Sequence, residues 1–140
     1  MFKRVKRLIN TIIVTLLVIS TNHMGITQVV GESMYPTLYD GDYLIVDIKA
    51  KPEDQDIVII KAGELDIECE LIVKRYYEDL SSENGLYVIG DNMDNSLDSR
   101  TFGEIPKEKF YGVVIWNVNA SIRDLKDTII DWYDDLLNTN

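Results

Sequence analysis

The chain contains one cysteine, Cys69, and one histidine, His23, among 140 residues. A single thiol excludes an internal disulfide and is compatible with either redox compartment. One thiol and one imidazole cannot build a zinc site without several carboxylates, and no ligand spacing is visible, so Cys69 reads as a small core residue. No metal and no cofactor is implied. Basic residues are scarce beyond the start. Lys3, Arg4, Lys6 and Arg7 put +4 into the first seven residues; the whole chain carries −10, which leaves −14 on the rest. A body this acidic lacks the basic footprint of a nucleic-acid binder and resists lying flat on anionic lipid.

Charge of either sign is missing from Leu8 to Gly31, a stretch of 24 residues. A helix crosses a bilayer with roughly 17–25 predominantly apolar residues. The apolar character is strongest from Leu8 to Ile19. A cleavable signal peptide has the same basic start, but "VISTNHM" offers no small-residue cleavage pattern, so an uncleaved anchor over residues 8–30 is the preferred reading. With residues 1–7 as its cytoplasmic flank, the positive-inside rule places everything beyond it on the outer face. His23 then reads as an interfacial polar residue.

The body is predicted to be mainly β. "DYLIVDI" (Asp42 to Ile48) and "DIVIIKA" (Asp56 to Ala62) are short β-rich runs separated by a turn around Pro52. "ELDIECELIVKRYY" alternates, with Leu65, Ile67, Cys69, Leu71 and Val73 on one face and Asp66, Glu68 and Glu70 on the other. "GLYVIGD" and "FYGVVIWNV" bring the set to about five strands. The end is predicted to be an amphipathic helix over residues 119–140. It carries Ile122, Leu125, Ile129, Trp132 and Leu136 at helical spacing, with Ser121 and Asp124 as an N-cap and its partner. Its acids favour packing on the domain or on a partner over lying on a membrane.

Ser33, in "VVGESMYPTLYDGD", raises the question of a nucleophile. Serine is weak until a base takes its proton, and the one histidine lies within the anchor reading. A lysine can serve if it is neutral, which means bringing its pKa from about 10.4 toward about 7–8 at a cost of about 4 kcal/mol. Burial away from carboxylates does this. Lys49, Lys51, Lys107, Lys109 and Lys126 lie among acids or in turn-like sequence, and Lys61 borders Gly63. Lys74 closes the apolar run "LIVK". It shares a face with Asp66, Glu68 and Glu70, but that face turns apolar at Ile72, two residues earlier. A strand covered on both sides from Ile72 onward would bury Lys74. A lysine so placed can also snorkel or pair with an acid.

A polar loop follows the fourth predicted strand in "VIGDNMDNSLDSRTFG". Eight of the ten residues from Asp91 to Arg100 are Asp, Asn, Ser or Arg, which fix loop geometry through local hydrogen bonds. The loop lacks the glycine and glutamate of a calcium-binding EF-hand at the required spacing. A salt bridge of Asp98 or Asp91 with Arg100 is the simpler use of its charges.

Together, "GESMYPTL", "LIVKR" and "IGDNMDNSLDSRTFG" resemble the serine, lysine and C-terminal boxes of type I signal peptidases. The boxes occur in the family's order after one N-terminal apolar segment. The resemblance implies a signal-peptidase or LexA-like β-rich catalytic domain over residues 31–118, a single-pass membrane anchor with the domain on the extracytoplasmic side, and a Ser–Lys dyad. By position, Ser33 would be the nucleophile and Lys74 the general base. Ser96 would support the lysine by a hydrogen bond, and Asp98 with Arg100 would form a buried pair. The family's oxyanion hole uses the nucleophile's N–H and often a hydroxyl two residues upstream; Gly31 stands there in this chain. The partners implied are signal peptides of exported preproteins, bound extended, and the lipid bilayer. Met34 and Ile72 are the residues expected to line the substrate pockets. Met93 stands where an arginine is common, "YYEDL" replaces a glycine- and proline-containing loop, and only 15 residues separate Lys74 from Gly90. These departures imply a trimmed core. They leave open a specialised or non-catalytic homologue that binds preproteins without cutting most of them.

Overall fold

The computed structural model describes residues 23–62 and 71–138. The segment predicted as apolar anchor up to residue 22, the alternating stretch with Leu65 and Ile67, and Cys69 lie outside the described residues. Seven strands form one antiparallel sheet: β1 Met24–Gln28, β2 Tyr43–Asp47, β3 Ile57–Lys61, β4 Leu71–Tyr77, β5 Gly85–Ile89, β6 Ile105–Pro106 and β7 Phe110–Asn117, in the order β1-β2-β7-β3-β4-β5-β6. A short helix, α1, spans Ser99–Phe102, and a long one, α2, spans Val118–Asn138. No helix among the described residues is long and apolar enough to cross a membrane.

β3 is the hub. Val58, Ile59 and Ile60 are all fully buried, with Ile59 in one apolar cluster and its two neighbours in another. A continuous apolar run is what a strand covered on both faces requires. β4 beside it reads as anticipated. Ile72, Lys74 and Tyr76 are buried on one face, and Leu71 and Val73 pack half-buried on the other. Register shifts between Ile45 and Val46 and between Ile59 and Ile60, both against β7, bend the sheet so that it curls.

Two boundaries move. The reading that carried the anchor to residue 30 is corrected by β1, which pairs with β2 from Met24↔Asp47 to Gln28↔Tyr43. Residues 24–28 are free of charge because they form a strand whose side chains alternate between exposed and half-buried. The β-rich domain therefore begins no later than Met24, not at residue 31. The second correction is the start of α2. Its first turn is capped by Asn117, whose Oδ1 accepts from the Ala120 N–H at 3.0 Å, and not by Ser121. Ser121 instead donates its hydroxyl to the Asn117 carbonyl and accepts from the Trp116 indole.

The helix meets the body through this polar first turn. Ile122, Leu125, Ile129 and Trp132, the apolar residues expected to pack on the domain or on a partner, are exposed. The body ends where β7 ends, and α2 continues past the sheet rather than folding back across it.

Candidate active site

The chain leaves β1 into a loop that returns at β2. Its neck is closed by the Val29 N–H on the Asp42 carbonyl (2.8 Å) and the Gly41 N–H on the Val29 carbonyl (2.9 Å). Met34 and Leu38 point into the core and tie the loop to the sheet. Gly31 adopts φ +85°, a left-handed conformation that a side chain would strain. Its N–H donates to Asp40 Oδ1 at 2.7 Å. Ser33, two residues on, is thus held on a closed and partly buried loop.

Lys74 Nζ lies 2.6 Å from Ser33 Oγ. Lys74 is 4% exposed. Burial pushes its pKa below the ordinary 10.5, and the more distant charges of Asp98 and Asp91 oppose this. No carboxylate pairs with it among the described residues. A short contact between a hydroxyl and an amine whose charged form is disfavoured is the geometry in which the amine can take the hydroxyl's proton. The Ser33 N–H makes no hydrogen bond among the described residues, so it is free to stabilise a developing oxyanion. The Gly31 N–H is committed to Asp40 and is not.

The loop after β5 bonds to the segment that carries Ser33. Asp98 is fully buried. Its carboxylate accepts from the Gly90 N–H at 2.9 Å and from Arg100 Nε and Nη2 at 2.9 and 2.8 Å. Burial opposes its charge, yet Arg100 and the Gly90 N–H hold its carboxyl well below the usual carboxylate range. Asp98 also caps α1 by accepting from the Arg100 N–H. The Asp98–Arg100 ion pair is present, but it is not the buried pair expected: the carboxylate is enclosed while the Arg100 side chain is 35% exposed. Asp91, the other acid considered for Arg100, pairs instead with Arg75 Nε and Nη2 at 2.8 and 2.6 Å and accepts from the Thr37 hydroxyl. Ser96 makes no hydrogen bond to Lys74. Its Oγ is enclosed without a hydrogen-bond partner among the described residues and lies against Gly90.

Three contributors were not singled out from the sequence. Arg75 follows Lys74 on the opposite face of β4, and its planar fork matches Asp91 across the β4–β5 pair. Asn92 donates its N–H to the Ser33 carbonyl and its Nδ2 to the Glu32 carbonyl, each at 3.0 Å. Gly90 sits between Ser96 and the Ser33 backbone. The polar composition of the loop announced fixed geometry, but not which strand it would clasp. Removing only the Asn92 side chain, in Asn92→Ala, is expected to lower turnover by about tenfold through a looser Ser33, with little change in thermal midpoint. A steady-state assay beside a melting curve checks this, and unaltered turnover would show that the backbone bond alone suffices.

A cavity of about 460 Å³ opens beside Ser33 and Lys74, walled by Val29, Val30, Met34, Ile72, Val73 and Leu97. Met34 and Ile72 thus both face the space expected for a substrate. Two sheet edges border it. β1 is an outer strand that pairs only with β2. On β4, only Arg75–Tyr77 pair with β5, so Leu71–Lys74 have an open edge among the described residues.

The chain is similar to the mitochondrial ATP-independent inner membrane protease subunit 1b of Arabidopsis thaliana, with 29% identity over 124 residues, 71% of this chain and 73% of that protein. The model of the Peptidase S24-like family matches residues 4–115, most of the chain and all three boxes, so the chain belongs to the Peptidase S24-like family.

Proposed function

We propose that the protein is a membrane-bound, signal-peptidase-like serine endopeptidase, with Ser33 as nucleophile and Lys74 as general base. The observation that carries this reading is the 2.6 Å contact between Ser33 Oγ and the buried Lys74 amine. Neutral Lys74 accepts the Ser33 proton as Oγ attacks the scissile carbonyl carbon. The negative charge moves to the carbonyl oxygen, which the Ser33 N–H receives. The lysine ammonium then gives its proton to the leaving amine as the C–N bond breaks, leaving an ester on Ser33. Water attacks that ester, again with Lys74 taking a proton, and releases the acid and the free serine.

The substrate is an extended segment lying between the open edges of β1 and β4, an addition of one strand that leaves side chains alternating into the cavity. Shallow apolar walls from Met34 and Ile72 suit small residues at positions −1 and −3 before the cut, as in an exported preprotein. Membrane attachment fits the charge-free segment before residue 23 and the membrane protease to which the chain is similar. The alternative, a homologue that binds preproteins without cutting them, gives no use to a lysine kept buried and unpaired against a serine hydroxyl.

The test is cleavage of a preprotein by the purified full chain in detergent, with the cut site read by mass spectrometry. Cleavage after a small residue, lost in Ser33→Ala and lost when the −1 residue is made tryptophan, is the expected result. Cleavage that survives Ser33→Ala would falsify the assignment of the nucleophile.

A further inference from the structure

The contact between α2 and the loop that carries Ser33 has no role in the reaction as derived. It is nonetheless the most heavily bonded contact the helix makes. Asp42 ends that loop and is 2% exposed. Its carboxylate accepts from Arg123 Nη1 and Nη2 at 2.8 and 3.1 Å, from Asn117 Nδ2 at 2.7 Å and from the Tyr39 N–H at 3.2 Å. Two of these three donor residues belong to α2 and its cap. The Arg123 guanidinium also stacks over the Tyr39 ring, 4.8 Å from its centroid, and Tyr39 packs edge-to-face on Tyr35 at 5.4 Å. Tyr35 is two residues from Ser33. On the other side of the loop, Asn92 and Asp91 hold Glu32, Ser33 and Thr37. The nucleophile loop is therefore gripped at both ends of its arc, by the polar loop after β5 at one end and by α2 at the other.

We propose that Arg123 is a positioning residue for Ser33, and that the N-terminal end of α2 locks the nucleophile loop through Asp42 and Tyr39. The proposal rests on Ser33 being the nucleophile. The physical reason is that a carboxylate this enclosed needs its donors. Without Arg123, Asp42 keeps one side-chain and one backbone donor and must draw in water to satisfy its remaining lone pairs. Arg123 is 44% exposed and covers this carboxylate, so its removal admits water at the end of the loop in place of a fixed donor, and the Tyr39–Tyr35 stack loses its outer layer in the same event. A small displacement of a nucleophile lowers turnover steeply, by about 10²-fold for about 1 Å. Arginine suits the task because one planar group forms the fork and the stack together. The rest of α2 does not enter this contact.

The test compares the full-length wild type with Arg123→Ala and Arg123→Lys. Backbone hydrogen exchange is measured at residues 31–42 and in β3, with kcat and KM for preprotein cleavage alongside. Arg123→Ala is expected to speed exchange at residues 31–42 by about tenfold, leave β3 unchanged, and lower kcat by about tenfold with a smaller change in KM. Arg123→Lys keeps the charge but loses the fork, and is expected to fall between. A lower melting point with unchanged exchange at residues 31–42 and unchanged kcat would make Arg123 merely structural and overturn the proposal. If Arg123→Ala does not fold, the lysine variant decides by the same readouts. If wild type and Ser33→Ala are equally inactive, the protease reading has failed, and the exchange data still report whether Arg123 orders the loop.

Discussion

Lys74→Met is expected to lower kcat/KM for preprotein cleavage by about 10³-fold or more while making the protein more stable at neutral pH. The two effects have one origin. Lys74 is buried against Ser33 without a carboxylate partner among the described residues, so the fold disfavours its charged form and pulls its pKa below 10.5. A neutral amine near Ser33 is what the reaction needs, and its loss removes the general base, an effect of about 10²–10⁴-fold in comparable reactions. Enclosing the same group is unfavourable to folding. Below its folded-state pKa the whole penalty is present, as a buried charge. Between that value and 10.5 the unfolded chain binds more protons than the folded one, so stability rises with pH, and above 10.5 the penalty is gone.

Methionine has similar volume and no charge. Lys74→Met is thus expected to gain about 1 kcal/mol or more in urea unfolding at pH 7, with the gain shrinking as pH approaches 10. In the wild type, kcat/KM rises with pH through the folded-state pKa of Lys74. A variant that is less stable than wild type at pH 7 would mean that the ammonium is satisfied where it lies, and the base assignment would fall with it.

Gly90→Ala is expected to lower turnover by about 10²-fold and stability by about 2 kcal/mol. A Cβ on Gly90 would lie 2.1 Å from Ser96 Oγ and 2.5 Å from the Ser33 carbonyl oxygen. The Ser96 hydroxyl can rotate, but the Ser96 Cβ, 2.6 Å from the added methyl, cannot, so that contact is only partly relieved. The Ser33 carbonyl cannot yield freely, because it is backbone and accepts from the Asn92 N–H. Gly90 is equally constrained, since its own N–H is bonded to the fully buried Asp98. The added methyl therefore pushes the Ser33 backbone away from Lys74. Adding Ser96→Gly to Gly90→Ala separates the two contacts. The double variant is expected to recover part of the stability and little of the turnover, as read by urea midpoints and steady-state rates. Full recovery of turnover would place the harmful contact at Ser96 and not at Ser33.

How much of this was legible in the sequence depends on what each inference required. Burial of Lys74 was readable because a strand's faces alternate, and its polar face turned apolar at Ile72. β2, β3, β4, β5 and β7 followed from β-rich runs bounded by turns, whereas β6, the two residues Ile105–Pro106, is too short to leave a periodic signal. β1 was missed because lack of charge is shared by membrane segments and by strands beside an apolar groove, and Met24–Gln28 lies directly behind a strongly apolar run. The cap of α2 was missed by four residues because Ser121 and Asn117 both suit an N-cap, and only the path of β7 decides between them. Arg75 and Asp91 are 16 residues apart, and their meeting depends on the β4–β5 register, which sets Arg75 opposite Ile89. No local pattern encodes that register. The same holds for Arg123 and Asp42, 81 residues apart.

The unpaired edges of β1 and of Leu71–Lys74 imply a form of selection that precedes any preference for side chains. Backbone amides and carbonyls there exchange water for a ladder only with a chain whose own are still free. A segment already folded into helix or sheet has none to offer. A peptidase that grips its substrate this way would sort polypeptides first by whether they have folded, and would see only those still in transit.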